Sequence, residues 1–133
     1  METYERYKQA IDNWEFHGTE QYYKIDPFGP TVVTDGVKWF ADNFECYWLL
    51  TLVDAARASL PHQMFIVADI TVFQTSEGVN EADIRFTDGN DNRVRKDVHV
   101  DMTDLPEGEY SLWIANYPGD RVGSKVIYLS TEH

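Results

Sequence analysis

Four histidines and a single cysteine are the side chains best suited to move a proton or attack a carbonyl at neutral pH. His17, His62, His99 and His133 stand in no HxxxH or other ligand spacing, so the chain encodes no metal-binding helix face. His17 precedes Gly18 in a segment that also carries Glu20, and a histidine beside a carboxylate can shuttle protons. Together with Asp35, these residues form a candidate pocket for an enzyme or small-ligand binder, walled by the abundant Trp and Tyr side chains. The competing reading of His17 is a solvated or locally hydrogen-bonded loop residue. Cys46 reads as a small buried helix residue, because a free cysteine packs as a hydrophobe. Alone, it makes no internal disulfide and no multi-cysteine zinc site.

Oxygen ligands cluster in two places. Asp88-Gly-Asn-Asp-Asn-Arg sets oxygen side chains at 88, 90 and 92, as a calcium loop begins. Yet Arg93 stands where such a loop turns on glycine, and His99 where its bidentate glutamate belongs. The surrounding alternation is that of strands, so the run reads as a hairpin turn. Asp101, Asp104, Glu107 and Glu109 are interrupted by Pro106 and Gly108 and read as a solvated loop. Neither cluster predicts a metal, and no cofactor is expected. The GxGxxG, GxxxxGK[ST] and GxSxG motifs are all missing. Arg93, Arg95 and Lys96 are flanked by Asp91 and Asp97, which makes a salt-bridged surface a simpler account than phosphate binding.

The elements that must position these groups divide the chain in two. Tyr4, Tyr7, Ile11 and Trp14 repeat with the spacing of one helical face, with Glu2 and Glu5 at its positive end. Gly18, Pro27, Gly29, Pro30 and Gly36 then punctuate a stretch that predicts only a short segment near Gln21 to Ile25, followed by loop. Thr34 or Asp35 can cap a helix running through Asn43. Another, from about Glu45 to Ser59, is expected to bury Trp48, Leu49, Leu52 and Val53 before Pro61 stops it. Beyond Pro61 the period becomes that of strands. Phe65 to Phe73 is rich in β-branched and aromatic residues, and Ser76 to Glu81 turns. Ala82 to Thr87 alternates, with Ile84 and Phe86 inward and Asp83 and Arg85 outward. Arg93 to Val100 returns with an expected bulge near Lys96 or Asp97, and Tyr110 to Ala115 and Lys125 to Leu129 follow. Helices first and strands afterwards predict one α+β domain over residues 1–133, its N-terminal helices packed on a C-terminal four- to five-stranded antiparallel sheet.

Charge narrows the partners. The 133 residues include 23 acidic and 11 basic side chains, a formal net of -12, yet 14% are aromatic and 43% hydrophobic, too many for a disordered acidic segment. Acidity is spread evenly, with 10 acidic and 5 basic residues up to Leu60 and 13 and 6 beyond it. A folded anionic surface repels nucleic acid and attracts basic partners. The longest mostly apolar stretch, Phe44 to Ala58, is broken by Glu45, Asp54 and Arg57 and is shorter than the roughly 20 residues of a membrane span. The opening residues lack the apolar run of a secretory signal, which predicts a cytoplasmic protein with no membrane partner.

Phe16-His-Gly-Thr-Glu-Gln-Tyr-Tyr, Val33-Thr-Asp-Gly-Val-Lys-Trp-Phe-Ala, Tyr47-Trp-Leu-Leu, Thr87-Asp-Gly-Asn and Met102-Thr-Asp-Leu-Pro follow one another along the chain. In that order they resemble a family of unknown function found among small proteins of phages, plasmids and other bacterial mobile elements. The shared pieces include FxGTExYY, TDGVKxxA, YWLL and TDxP. Two positions depart from the family's pattern, since Asp54 follows YWLL late and Leu105 replaces an aromatic. The resemblance implies a context and no catalytic residues. Its pieces read either as architecture, with Phe16, Tyr22 and Tyr23 anchoring a loop and Val37, Phe40 and Ala41 packing, or as Gly18, Thr19, Glu20 and Asp35 lining a pocket. Taken with the charge, the chain is expected to be a non-enzymatic, acidic protein-interaction module of a mobile element. Its expected partner is a basic host protein or nucleoprotein complex, such as a CRISPR-like defence complex. Carboxylates on a rigid sheet would occupy that partner's nucleic-acid-binding groove in place of phosphates. Asp83, Asp91, Asp97 and Asp101 lie on predicted strand or turn surfaces and are the expected contacts. The module is expected to be a monomer, or a homodimer that meets through exposed aromatics such as Trp113 and Tyr117.

Overall fold

The computed structural model describes residues 3–17, 22–25, 31–59, 65–75, 78–88, 94–116 and 125–132. Glu20 and Asp91 of the expected sites, Gly18 and Thr19, the turn over 89–92 and Tyr117 lie outside them.

Helix α1 spans Tyr4–Asp12, with the Thr3 side chain accepting from the Arg6 amide at its start. It stops short of the last aromatic in the sequence periodicity. The Glu15 amide donates to the Ala10 carbonyl and the Trp14 amide to Ile11, a closure that places Trp14 in the left-handed region at φ 53°. Trp14 therefore leaves the helical face and stands exposed. Helix α2 covers Asp35–Phe44, and Thr34 caps it as expected. Helix α3 covers Tyr47–Ala58 and buries Leu49, Leu50, Val53, Ala56 and Arg57. That stripe is rotated from the expected one, so Leu52 is half-buried and Trp48 is turned outward.

Among the described residues seven strands follow the order β1-β2-β7-β6-β3-β4-β5: β1 Tyr23–Lys24, β2 Thr31–Val33, β3 Phe65–Gln74, β4 Asn80–Thr87, β5 Val94–Val100, β6 Gly108–Asn116 and β7 Lys125–Tyr128. Strands β3 to β7 pair antiparallel, but β2 runs parallel to β7 and β1 pairs antiparallel with β2. The sheet is thus mixed and larger than the four or five antiparallel strands expected. Thr31, Val32 and Val33 are all buried; a β-branched triplet among glycines and prolines gives a weak strand signal, although β7 needs a partner along that edge. A register shift also appears in the β4–β5 pair. Phe86 opposes Lys96 and Thr87 opposes Val94, which makes Arg95 the extra residue, one position before the expected bulge.

The alternation of the strands sorts side chains between two faces. Ile66, Ala68, Ile70 and Val72 of β3, Ala82, Ile84 and Phe86 of β4, and Leu112 and Ile114 of β6 point into the core. Val37, Phe40, Ala41 and Phe44 of α2 and Leu49, Leu50 and Val53 of α3 cover them. Each fully buried Leu, Ile or Phe contributes about 1.5–3 kcal/mol over an exposed one. The architecture is α+β, with the helices α2 and α3 on the inner face. Among the described residues no helix is long and apolar enough to cross a membrane.

Candidate functional site

The described parts of the motif-like pieces make architectural contacts. Thr34 Oγ1 donates to Glu132 Oε1 at 2.6 Å and accepts from the Val37 amide at 3.4 Å. The Gly36 amide donates to Glu132 Oε2 at 3.1 Å and the Leu129 amide to Oε1 at 3.0 Å. One carboxylate thus fills the positive end of α2. A Cβ on Gly36 would lie 2.7 Å from both Glu132 Oε1 and Leu129 Cδ1, which is why glycine follows Asp35. Asp54 accepts from Thr31 at 2.6 Å and from the buried Arg57 at 2.9 Å, tying β2 to α3. In the TDxP piece, Thr103 Oγ1 accepts from the Leu105 amide at 3.1 Å, and Asn80 Nδ2 donates to the Leu105 carbonyl at 2.9 Å. Leu105 is buried. Phe16 packs on Trp39 with ring centroids 5.2 Å apart, and Tyr23 lies beneath the Lys38 ammonium at 5.4 Å. Tyr22, expected to anchor the same loop, is exposed. Burial pushes the Cys46 thiol up to about 12, so it stays protonated and unreactive at neutral pH.

The outer face of the same sheet has a different chemistry. Its registers set two rows across four strands. Ser111 of β6, Asp69 of β3, Arg85 of β4 and Asp97 of β5 form one, and Glu109, Thr71, Asp83 and His99 the other. Ser111 Oγ donates to Asp69 Oδ1 at 3.1 Å, and Arg85 Nε lies 3.5 Å from Asp97 Oδ1. Helix α1 makes a wall beside these rows. Beyond the β6–β7 pairing, the Tyr7 hydroxyl accepts from the Ser111 amide at 3.1 Å and lies 3.5 Å from its carbonyl. Tyr4 lies so close to Gly108 that a Cβ there would sit 2.3 Å from the ring. The resulting groove, of about 940 Å³, carries Asp12, Asp69, Asp83, Asp97 and Glu109 against Lys8 and Arg85.

His99 closes one end of this face. Its Nδ1 lies 2.6 Å from Asp83 Oδ1, and its Nε2 lies 2.9 Å from Glu81 Oε1 and 3.3 Å from Asp101 Oδ1. The bond to Asp83, reinforced by the charges of Asp83, Glu81 and Asp101, raises the imidazole above its ordinary value. Only an imidazolium donates from both nitrogens. The carboxylates approach opposite edges of the ring and do not converge on one point. Among the described residues no group of three or more His, Cys, Asp or Glu is arranged to hold a metal ion.

Three of the four expected contacts fall on this outer face. Asp83, Asp97 and Asp101 are there with side chains 63%, 66% and 97% exposed. Asp101 and Glu109 of the expected loop cluster also belong to the face, the first just beyond β5 and the second in β6. His17 is exposed and Asp35 opens α2, and neither lines the groove. Trp113, expected at an exposed dimer contact, is half-buried, 5.3 Å from Phe65 and 6.3 Å from Tyr128 between ring centroids. Ligand spacing along the chain overlooked His99 because its neighbours come from the paired strand. Pairing Asp83 with His99 across the predicted hairpin was the signal that could have found it. No curated protein and no solved structure matches this chain. A family model, described as a family of unknown function (DUF6876), matches residues 9–133, so the chain belongs to that family.

Proposed function

We propose that the chain is a non-enzymatic docking module whose acidic outer sheet face seats a basic segment of a partner protein. The observation that carries this reading is the convergence of Asp69, Asp83, Asp97 and Glu109 on one open groove beside α1. Rigid strands fix the carboxylates in register, so a cationic surface meets them with little side-chain ordering left to lose. Lysine or arginine side chains are the complementary chemistry, with the Tyr4 and Ile11 wall able to cover their aliphatic stems. In the mobile-element setting that the sequence resemblance implies, the partner is a host nucleic-acid-binding defence complex of the CRISPR kind, whose basic groove the module occupies in place of phosphates.

Affinity capture from a bacterial host lysate tests this at about 50 and 300 mM salt, a range over which exposed charge attraction weakens. One basic nucleic-acid-binding complex should be retained at low salt and lost at high salt. The same complex should be lost at low salt when Asp83, Asp97 and Asp101 are each replaced by Lys. Retention by that variant as strong as by the original chain would overturn the reading.

A further inference from the structure

We propose that His99 is a proton-operated clasp that covers one end of the acidic face when protonated and opens it to a cationic partner when neutral. The proposal rests on the docking reading above and adds its regulation. The geometry is that of an internal cation seated where an external one would bind. Imidazole nitrogens on opposite edges of the ring meet Asp83 at 2.6 Å and Glu81 at 2.9 Å, with Asp101 at 3.3 Å. A protonated ring donates to both sides and cancels one negative charge of the face. A neutral ring keeps a single N–H, so one side presents a lone pair to a carboxylate and that contact opens. The released carboxylate is then available to a lysine or arginine.

The surroundings set the direction of the response. Strand β4 presents Glu81 and Asp83, with Arg85 farther along the same face. Strand β5 and its end add Asp97 and Asp101, and β3 adds the Phe73 ring at 6.5 Å. Across the groove stand Lys8 and Asp12 of α1 and Glu109 of β6. Carboxylates outnumber cations around the ring and hold its proton above the ordinary histidine range. The clasp is therefore shut in mildly acidic conditions and opens as pH rises through the raised value.

An oligolysine peptide is the probe, titrated into the full chain and into His99→Gln at low ionic strength, at about pH 6 and about pH 8. The original chain should bind more tightly at the higher pH, by about fivefold for one unit charge at contact distance. His99→Gln should lose most of that pH response and match the affinity that the original chain shows at the higher pH. An original chain and a variant that strengthen equally with pH would overturn the clasp alone and leave the docking face standing. An original chain that binds oligolysine at neither pH would overturn the docking reading and the clasp with it.

Discussion

The two faces of strands β3, β4 and β6 are written in alternate residues of the same segments, and they differ in what becomes of their polar groups. On the inner side Ile70, Ile84 and Leu112 are buried under α2 and α3, and the polar groups at the rim of the core are held by Glu132, Asp54 and Asn80. On the outer side, among the described residues, Asp69 and Asp83, together with Asp97 of the neighbouring β5, are held by Ser111, His99 and Arg85 at the surface. Exposed pairs of that kind add little to stability, because water and salt screen them. The proposed docking role thus falls to one parity of these strands and the packing of the core to the other. Substitutions should separate them.

The largest effect belongs to the inner face. Phe40 is fully buried and packs against Tyr7, Phe44 and Tyr110. Phe40→Ala should destabilise the fold by about 3–5 kcal/mol in urea unfolding. A smaller loss of about 1–3 kcal/mol is expected for Glu132→Ala, which strips partners from Thr34 and the Gly36 and Leu129 amides. Gly108→Ala is expected in the same range, because the added methyl collides with Tyr4 at a φ of 157° and pushes α1 away from β6. Its groove should deform, so binding should weaken along with stability. Triple replacement of Asp83, Asp97 and Asp101 by Lys should move the unfolding free energy by only about 0.5 kcal/mol per site, while removing salt-sensitive association.

The smallest effect is on stability near neutral pH. His99 has a raised folded value, so its contribution is fully present below the unfolded value of about 6.5 and is lost as pH rises through the folded one. Urea midpoints should fall slightly over that window in the original chain and stay flat in His99→Gln. Glu15 and Asp42 run the other way. Arg6 holds the Glu15 carboxyl below the ordinary range, and Lys38, then Tyr47, does the same for Asp42. Their contribution is present above the unfolded value and lost as pH falls through the folded one.

Much of this division was legible in the chain before any coordinates. Ile84 and Phe86 inward and Asp83 and Arg85 outward follow from a clean period of two, and β4 keeps it. A cap at Thr34 or Asp35 follows from helix-start chemistry, and Thr34 supplies it. What escaped depended on partners distant in sequence. The strand Thr31–Val33 exists because β7 supplies an edge nearly a hundred residues away, as the pairing of Val33 with Ile127 shows. Gly36 follows Asp35 because Glu132 returns to the start of α2, a contact no local pattern contains. His99 failed every ligand-spacing test along the chain, since its carboxylates sit on the opposing strand and just past its own. The rotated stripe of α3 shows the same limit at short range: Trp48 and Leu49 are both apolar, and only the tertiary context decides which one is covered.

The central claim is that the outer carboxylates serve association and not folding. Calorimetric titration of oligolysine into the original chain and into the Asp83→Asn, Asp97→Asn, Asp101→Asn triple variant, at about pH 8 and at several salt concentrations, tests it most directly. The account predicts binding that weakens steeply with salt in the original chain and is lost in a variant that remains folded. Equal affinity and equal salt dependence in the two proteins would contradict it.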